Sequence, residues 1–181
     1  MKQSLLTASW GSHASSSPFE GLPFRVTPTA RLKLAKRVSN MLMFTESGTI
    51  SVQVEGVIEG WWDRLRLEQI LTNLLSNAVK YGAGRPITVE VGASGPGGDV
   101  WIAVRDRGIG MTPDELGRIF GRFERGVSER NYGGLGLGLW IVRQVVDAMG
   151  GSVTVDSAPE HGSTFTVRLP HAVESRPSLQ A

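Results

Sequence analysis

The stretch Leu67–Tyr81 constrains the fold of this chain most strongly, because its apolar residues follow the period of an α-helix. These residues recur at spacings of three and four: Ile70, Leu71, Leu74, Leu75, Ala78 and Val79. Asp63 precedes the pattern as a candidate N-cap, and Gly82 and Gly84 follow it as residues that end helices. The sequence therefore predicts one long amphipathic helix that buries a single side.

A polar stripe runs along the same predicted helix. Asn73, Asn77 and Lys80 share the helical spacing, so their side chains stack on one face. An amide oxygen is a neutral ligand for a hard cation, and an ammonium group compensates phosphate charge. Taken alone, the stripe is as compatible with an ordinary solvated face as with a cation and phosphate site.

The chain before this helix mixes strand and helix signals. Phe24–Val26 predicts a short strand. Thr27 followed by Pro28 predicts the start of a helix that ends before Gly48. Ile50–Val54 alternates apolar and polar residues, which indicates a strand with one buried face.

After Pro86 the spacing changes to the period of two that is typical of strands. The predicted strands are Ile87–Val91, Val100–Val104, Val153–Val155 and Phe165–Leu169. Thr112–Glu115 is a capping-box pattern that opens a short helix ending at Phe120, and residues 121–134 predict a mobile loop. A further helix starts after the glycines that precede Leu139.

Paired strands with one-sided helices between them predict an α+β fold. We expect a two-layer α/β sandwich in which a mixed, mostly antiparallel sheet carries about three helices on one face. Residues 1–22 predict a flexible leader, residues 23–170 the folded domain, and residues 171–181 a disordered tail.

Composition excludes several classes of protein. The net charge of +2 over 181 residues, with no run of basic residues among aromatics, argues against a nucleic-acid partner. The chain has no cysteine, and no apolar run approaches the roughly 18 residues that a membrane span requires. A cytoplasmic protein without a membrane segment is the expectation.

Two further segments carry chemistry. Asp106 follows the strand that is apolar on both faces, and Gly108 and Gly110 lie just beyond it. A carboxylate there can accept a hydrogen bond from the exocyclic amino group of an adenine ring, although Asp-x-Gly is also common in turns. The glycine-rich stretch Gly133–Gly138 opens a helix, where free N–H groups suit phosphates.

The segments NLLSNAVKY, DRGIGM, IFGRFER, GGLGLGLWIV and HGSTF occur in this order. Together they closely resemble the N, G1, F, G2 and G3 boxes of sensor histidine kinases. The resemblance covers about residues 24–170 and identifies the chain as similar to the catalytic ATP-binding domain of the GHKL superfamily, which has the Bergerat fold.

The resemblance implies a role for each matching residue. Asn77 would bind the Mg²⁺ that bridges the phosphates of ATP, and the catalytic positions would be Asn73 and Lys80. The adenine side would comprise Tyr81, Asp106, Gly108 and Gly110. Phe120 and Phe123 would anchor the lid over the nucleotide. Gly162 and Thr164 would close the pocket floor. Arg125 would either reach the γ-phosphate or remain a solvated charge of the lid. The triphosphate would be wrapped by Gly134, Leu135, Gly136, Leu137 and Gly138.

The implied activity is transfer of the γ-phosphoryl group of ATP to a histidine in a two-component system. Relatives that hydrolyse ATP or phosphorylate serine carry Glu where this chain has Asn73, and a carboxamide cannot act as a general base. Two alternatives stay open: an anti-sigma-type serine kinase and a non-catalytic nucleotide-binding module.

The histidines do not match a phosphoacceptor. They are His13, His161 and His171, and Ala14 stands where acceptor motifs have an acid. The expected partner is therefore a separate dimerisation and histidine-phosphotransfer domain, with a response regulator reached indirectly. The chain is expected to be either a fragment or a naturally short form.

Overall fold

The computed structural model describes residues 6–10, 30–34, 50–56, 58–95, 97–124 and 136–171. The strands are β1 (Leu6–Trp10), β2 (Ala30–Lys33), β3 (Ile50–Val54), β4 (Glu59–Trp62), β5 (Ile87–Ala93), β6 (Val100–Arg105), β7 (Ser152–Ala158) and β8 (Gly162–Leu169). The helices are α1 (Arg64–Tyr81), α2 (Pro113–Leu116) and α3 (Gly138–Ala148). None of the helices in these ranges is both long enough and apolar enough to cross a membrane.

One mixed sheet organises the fold, with strand order β1-β7-β8-β6-β5-β3. The β3–β5 pair is parallel and the other pairs are antiparallel. Strands β2 and β4 form a separate antiparallel ribbon. The expectation that the strand apolar on both faces is central is confirmed, since β6 lies between β5 and β8.

The core lies between the helices and one face of the sheet. Register places Val89, Val104 and Phe165 side by side on that face, with Val155 across from Phe165. Helices α1 and α3 pack against each other and against β6, β7 and β8. Residues of the opposite parity, such as Thr166, are only half buried. The predicted α+β sandwich with a mixed sheet is confirmed.

Local signals set the starts of α1 and α2 as predicted. The Asp63 carboxylate accepts hydrogen bonds from the backbone N–H groups of Leu65 (3.0 Å) and Arg66 (3.2 Å) and so caps α1. Thr112 and Glu115 form the predicted capping box, with both reciprocal bonds present. Helix α2 ends at Leu116 and continues to Phe120 only as turns, so it is shorter than predicted.

The N-terminal part differs from the sequence prediction. Leu6–Trp10, expected within a flexible leader, forms the edge strand that pairs with β7. Ala30–Lys33, expected within a helix starting at Pro28, pairs instead with β4, so that helix start is wrong. In both cases backbone pairing with a distant segment overrides the local sequence signal. The predicted strand Phe24–Val26 and the rest of the predicted helix, beyond Leu34, lie outside the described residues.

The C-terminal boundary also differs slightly. His171, expected in the disordered tail, lies against the β2–β4 ribbon, where its Nε2 is 2.9 Å from the Glu59 carbonyl oxygen. The Trp62 indole N–H donates to the Pro170 carbonyl at 3.2 Å, and the rings of Trp62 and His171 meet edge to face. Residues 172–181 lie outside the described residues.

Two leucines of α1 test whether its buried side stabilises the domain. Leu74 is 0% exposed and Leu65 is 71% exposed. Leu74→Ala should lower the free energy of unfolding by about 2–5 kcal/mol, because it leaves a cavity in the core. Leu65→Ala is the matched control and should change it by less than about 0.5 kcal/mol. Urea unfolding measures both, and equal effects would contradict the described orientation of α1.

Candidate functional site

The polar stripe of α1 borders its buried side. Asn73, Asn77, Lys80 and Tyr81 are all half buried, next to the buried residues Leu67, Ile70, Leu71, Leu74, Leu75 and Ala78. The helix therefore presents its amide and ammonium groups at the edge of the core. A position at this border is compatible with the cation and phosphate site that the sequence predicts, and that site stays a prediction.

Asn73 lies beside the first residue of α3. Its Nδ2 donates to the Gln69 carbonyl at 2.8 Å, which fixes the orientation of the amide group. Its Oδ1 would lie only 3.0 Å from a Cβ placed on Gly138. Glycine at this position lets the start of α3 approach the stripe closely. The N box and the glycine-rich segment, far apart in sequence, thus meet in space.

The start of α3 has the properties of an anion site. Leu137 occupies the N-cap position, and within the described residues no side chain accepts a hydrogen bond from the first N–H groups of the helix. The helix dipole adds partial positive charge at this end. Gly136 has φ +65°, and a Cβ there would approach the Glu124 carbonyl oxygen to 2.6 Å. Of the predicted site residues, Arg125, Gly134 and Leu135 lie outside the described residues.

Asp106 lies at the end of β6 and is only 4% exposed. Its carboxylate accepts the Gly108 N–H at 2.8 Å, and its own backbone N–H donates to the Ser163 carbonyl at 2.9 Å. Burial raises the pKa of Asp106, and hydrogen bonds from the backbone N–H groups of Gly108, Ser163 and Asp106 itself oppose that rise. A buried carboxyl with a shifted pKa is a candidate functional group, which is consistent with the role that the sequence predicts for Asp106.

Backbone contacts on both sides hold the loop that follows Asp106. A Cβ on Gly108 would collide with the Tyr81 carbonyl, and a Cβ on Gly110 would collide with the Ala158 carbonyl. The Ile109 N–H donates to the Tyr81 carbonyl at 3.2 Å, and the Glu160 N–H donates to the Ile109 carbonyl at 2.7 Å. The two glycines are therefore needed to fit the loop between the end of α1 and the β7–β8 turn.

Lys80 and Tyr81 form a pair at the end of α1. The Lys80 Nζ lies 4.7 Å from the centre of the Tyr81 ring, within the range of a cation–π contact. The ammonium group is thus placed beside the same turn whose carbonyl receives the Ile109 N–H. The end of α1 therefore carries a positive charge next to Tyr81, whose carbonyl contacts the loop after Asp106.

The two phenylalanines that were predicted to anchor the lid differ in burial. Phe120 is buried in the core, whereas Phe123 is 59% exposed and has φ +62°. The Arg122 guanidinium lies 4.9 Å from the Phe123 ring centre and 5.5 Å from that of Trp140. Phe120 therefore fits the role of an anchor, and the position of Phe123 does not.

Sequence reasoning selected Thr164 and missed Ser163. Thr164 pairs with Arg105 and Asp156 on the sheet face away from the core. Ser163 is buried and lies beside Asp106, to which it is joined through its backbone. Successive residues of β8 alternate between the two faces of the sheet, and Ser163 is two residues before the core residue Phe165. The sequence pattern therefore indicates that Ser163 faces the core.

The donor groups fit a magnesium ion that is held mainly by phosphates. Among the described residues, no group of three or more His, Asp or Glu side chains could hold a metal ion. Mg²⁺ commonly takes only one or two protein ligands together with phosphate oxygens and waters. The Asn77 amide oxygen, half buried between Asn73 and Tyr81 along α1, is compatible with that mode of binding.

A family model places this set of residues among known proteins. The model described as "Histidine kinase-, DNA gyrase B-, and HSP90-like ATPase" matches residues 62–173. The match starts just before α1 and includes the loop after β6, the start of α3 and the β7–β8 hairpin. It therefore contains every residue of the candidate site.

Two sensor kinases illustrate the similarity in sequence. Sensor histidine kinase RcsC of Escherichia coli (strain K12) is 43% identical over 111 residues, which are 60% of this chain and 11% of RcsC. Sensor-like histidine kinase SenX3 of Mycobacterium tuberculosis (strain H37Rv) is 43% identical over 115 residues, which are 62% of this chain and 28% of SenX3. The chain thus spans less than a third of each of these curated relatives.

Solved structures agree with the fold. The mycobacterial sensor histidine kinase MprB superposes with a TM-score of 0.67 at 27% identity, covering 80% of this chain and 99% of the MprB chain. Full-length ShkA in complex with AMPPNP superposes with a TM-score of 0.69 at 29% identity, covering 86% of this chain and 33% of the ShkA chain.

The buried Asp106 predicts a pH dependence of stability. Because its pKa is raised above the ordinary value of 3.8, the folded state holds this proton more tightly than the unfolded state. As pH rises from 3.8 through the raised pKa, the wild type should lose stability relative to Asp106→Asn, and the difference should then stay constant. Urea unfolding of both proteins from acidic to neutral pH measures this difference. A difference independent of pH would contradict the prediction.

Proposed function

Because the chain belongs to the family of histidine kinase-, DNA gyrase B- and HSP90-like ATPases, we propose that it is the ATP-binding catalytic domain of a sensor histidine kinase. The domain, residues 23–170, would act in the cytoplasm and donate the γ-phosphoryl group of ATP to a histidine on a separate dimerisation domain. The observation that carries the proposal is Asn73, a carboxamide packed against the start of α3 where hydrolytic relatives need a base.

The adenine ring is proposed to lie against Asp106. The carboxylate is buried and oriented by the Gly108 N–H, so it can accept a hydrogen bond from an exocyclic amino group at a fixed position. Guanine presents a carbonyl at the corresponding ring position, which a carboxylate repels. Tyr81 and the loop from Gly108 to Gly110 would form the walls of this part of the pocket.

The triphosphate is proposed to extend from Asp106 toward the start of α3. The N–H groups of that helix would bind phosphate oxygens, and Lys80 would compensate part of their charge. Gly134, Leu135, Gly136, Leu137 and Gly138 would follow the triphosphate, with Arg125 near its γ end. Asn77 would hold Mg²⁺, which when bound neutralises charge that develops on the phosphoryl group.

The residues present favour transfer over hydrolysis. Phosphoryl transfer depends mainly on positioning and charge neutralisation, and the stripe on α1 together with the start of α3 provides both. Hydrolysis also needs a group that accepts a proton from water. Asn73 cannot do so, and its amide is already oriented by the Gln69 carbonyl. The same reasoning disfavours an anti-sigma-type serine kinase.

The phosphoacceptor is proposed to lie on a partner domain, from which a response regulator would receive the phosphoryl group. The His161 Nδ1 lies 2.8 Å from the Pro159 carbonyl oxygen in the β7–β8 turn, and His171 packs against Trp62. Neither residue is on a helical hairpin. His13 lies outside the described residues.

Asn77→Ala should abolish the Mg²⁺-dependent part of ATP binding, because it removes the proposed metal ligand. Isothermal titration of ATP with and without Mg²⁺ measures that part. Thr72→Ala is the matched control, since Thr72 is exposed and lies five residues before Asn77, which is about 140° around the helix axis. If Asn77→Ala keeps the wild-type response to Mg²⁺, the proposed metal role is wrong.

Phosphotransfer tests the reaction itself. The chain is mixed with ATP labelled at the γ-phosphate and with a dimerisation hairpin from a sensor histidine kinase of high sequence identity. Acid-labile, alkali-stable label on the hairpin supports the proposal. Acid-stable label would indicate serine phosphorylation instead, and nucleotide binding without transfer to any acceptor tested would favour a non-catalytic module.

A further inference from the structure

A pair of serines interrupts the apolar face of the sheet. Along β7 and β8 the positions that face the core are apolar except at the end near Asp106, where Ser157 pairs directly with Ser163. Ser157 is 1% exposed, and Ser163 is also buried. A buried hydroxyl costs about 1–3 kcal/mol when it lacks a partner, so packing alone would favour an apolar residue at this position.

The Ser157 hydroxyl contacts the first two residues of β8, Gly162 and Ser163, and both of these residues touch Asp106. Its Oγ donates to the Gly162 carbonyl at 2.8 Å and lies 3.1 Å from the Ser163 Oγ. Because a carbonyl oxygen can only accept, the single Ser157 proton goes to Gly162 and the Ser163 hydroxyl must donate to Ser157. The direction of both hydrogen bonds is therefore fixed.

Gly162 and Ser163 in turn determine where Asp106 lies. The Ser163 carbonyl accepts the Asp106 N–H at 2.9 Å, and the Ser163 N–H stabilises the Asp106 carboxylate. A Cβ on Gly162, which has φ +77°, would collide with the Asp106 carbonyl. The first two residues of β8 therefore contact Asp106 at its N–H group, its carboxylate and its carbonyl, and the Ser157 hydroxyl is within hydrogen-bonding distance of both residues.

From these contacts we infer that Ser157 is a positioning residue for adenine recognition: its hydroxyl holds the start of β8 so that the Asp106 carboxylate lies at the correct place for an amino group. This inference rests on the proposed role of Asp106 in binding ATP. Ser157 itself need not touch the nucleotide. Its effect on affinity should therefore depend on the base and should require the Asp106 carboxylate.

The test compares the ratio of ATP to GTP affinity among matched variants, measured by isothermal titration. Ser157→Ala should lower this ratio by about 3- to 10-fold, the range expected for loss of one or two hydrogen bonds. Ser157→Thr keeps a hydroxyl and should retain the wild-type ratio. Thr154→Val is the control, because it removes a hydroxyl bonded to the Thr166 carbonyl on the same pair of strands but on the other face.

A double mutant separates positioning from general stability. If Ser157 acts through Asp106, Ser157→Ala should not lower the ratio further in an Asp106→Asn background. A fraction of unfolded protein would reduce ATP and GTP binding equally and leave the ratio unchanged. An unchanged ratio of ATP to GTP affinity in Ser157→Ala therefore overturns the inference. It is also overturned if Thr154→Val lowers the ratio as much as Ser157→Ala does, or if the two losses add in the double mutant.

The proposed function and this inference can fail separately. If Asp106→Asn itself leaves the ratio of ATP to GTP affinity unchanged, the adenine role of Asp106 is wrong, and the inference about Ser157 falls with it. If Asp106→Asn lowers the ratio and Ser157→Ala does not, only the positioning role of Ser157 is wrong.

Discussion

The packing of α1 against the sheet and α3 is the interaction on which both the core and the site depend. One side of this helix is buried in the core, and the adjacent border carries Asn73, Asn77 and Lys80. Because the buried side fixes the rotation of the helix, it also fixes the direction of the polar groups. The geometry of the proposed phosphate site is thus a consequence of hydrophobic burial.

A second constraint acts at the Asp106 end of the candidate site, where backbone segments pack directly against each other. The loop after Asp106 fits between the Tyr81 carbonyl and the Ala158 carbonyl only because Gly108 and Gly110 have no Cβ. Such contacts leave little freedom, so the proposed adenine side is rigid.

Local residue patterns predicted secondary structure correctly where the preference of a segment agrees with its place in the tertiary fold. The period of α1, the capping box at Thr112 and the central position of β6 are examples. Prediction failed where a distant partner overrides a local signal. Thr27 and Pro28 indicate a helix, yet Ala30–Lys33 pairs with β4. Along β8, the predicted site residue Thr164 lies on the face away from the core, and the alternation of the strand places Ser163 on the core face.

The sequence by itself determined the long amphipathic helix, the order of the motifs and therefore the family, because these depend on residue types at fixed spacings along one segment. It also determined that a carboxamide, Asn73, stands where a general base would be needed. Only the tertiary structure decided that Asp106 is buried, that Asn73 meets Gly138, and that Ser157 reaches Gly162 and Ser163. The physical reason is that burial and hydrogen bonding between separate segments depend on strand order and register, which no single segment encodes.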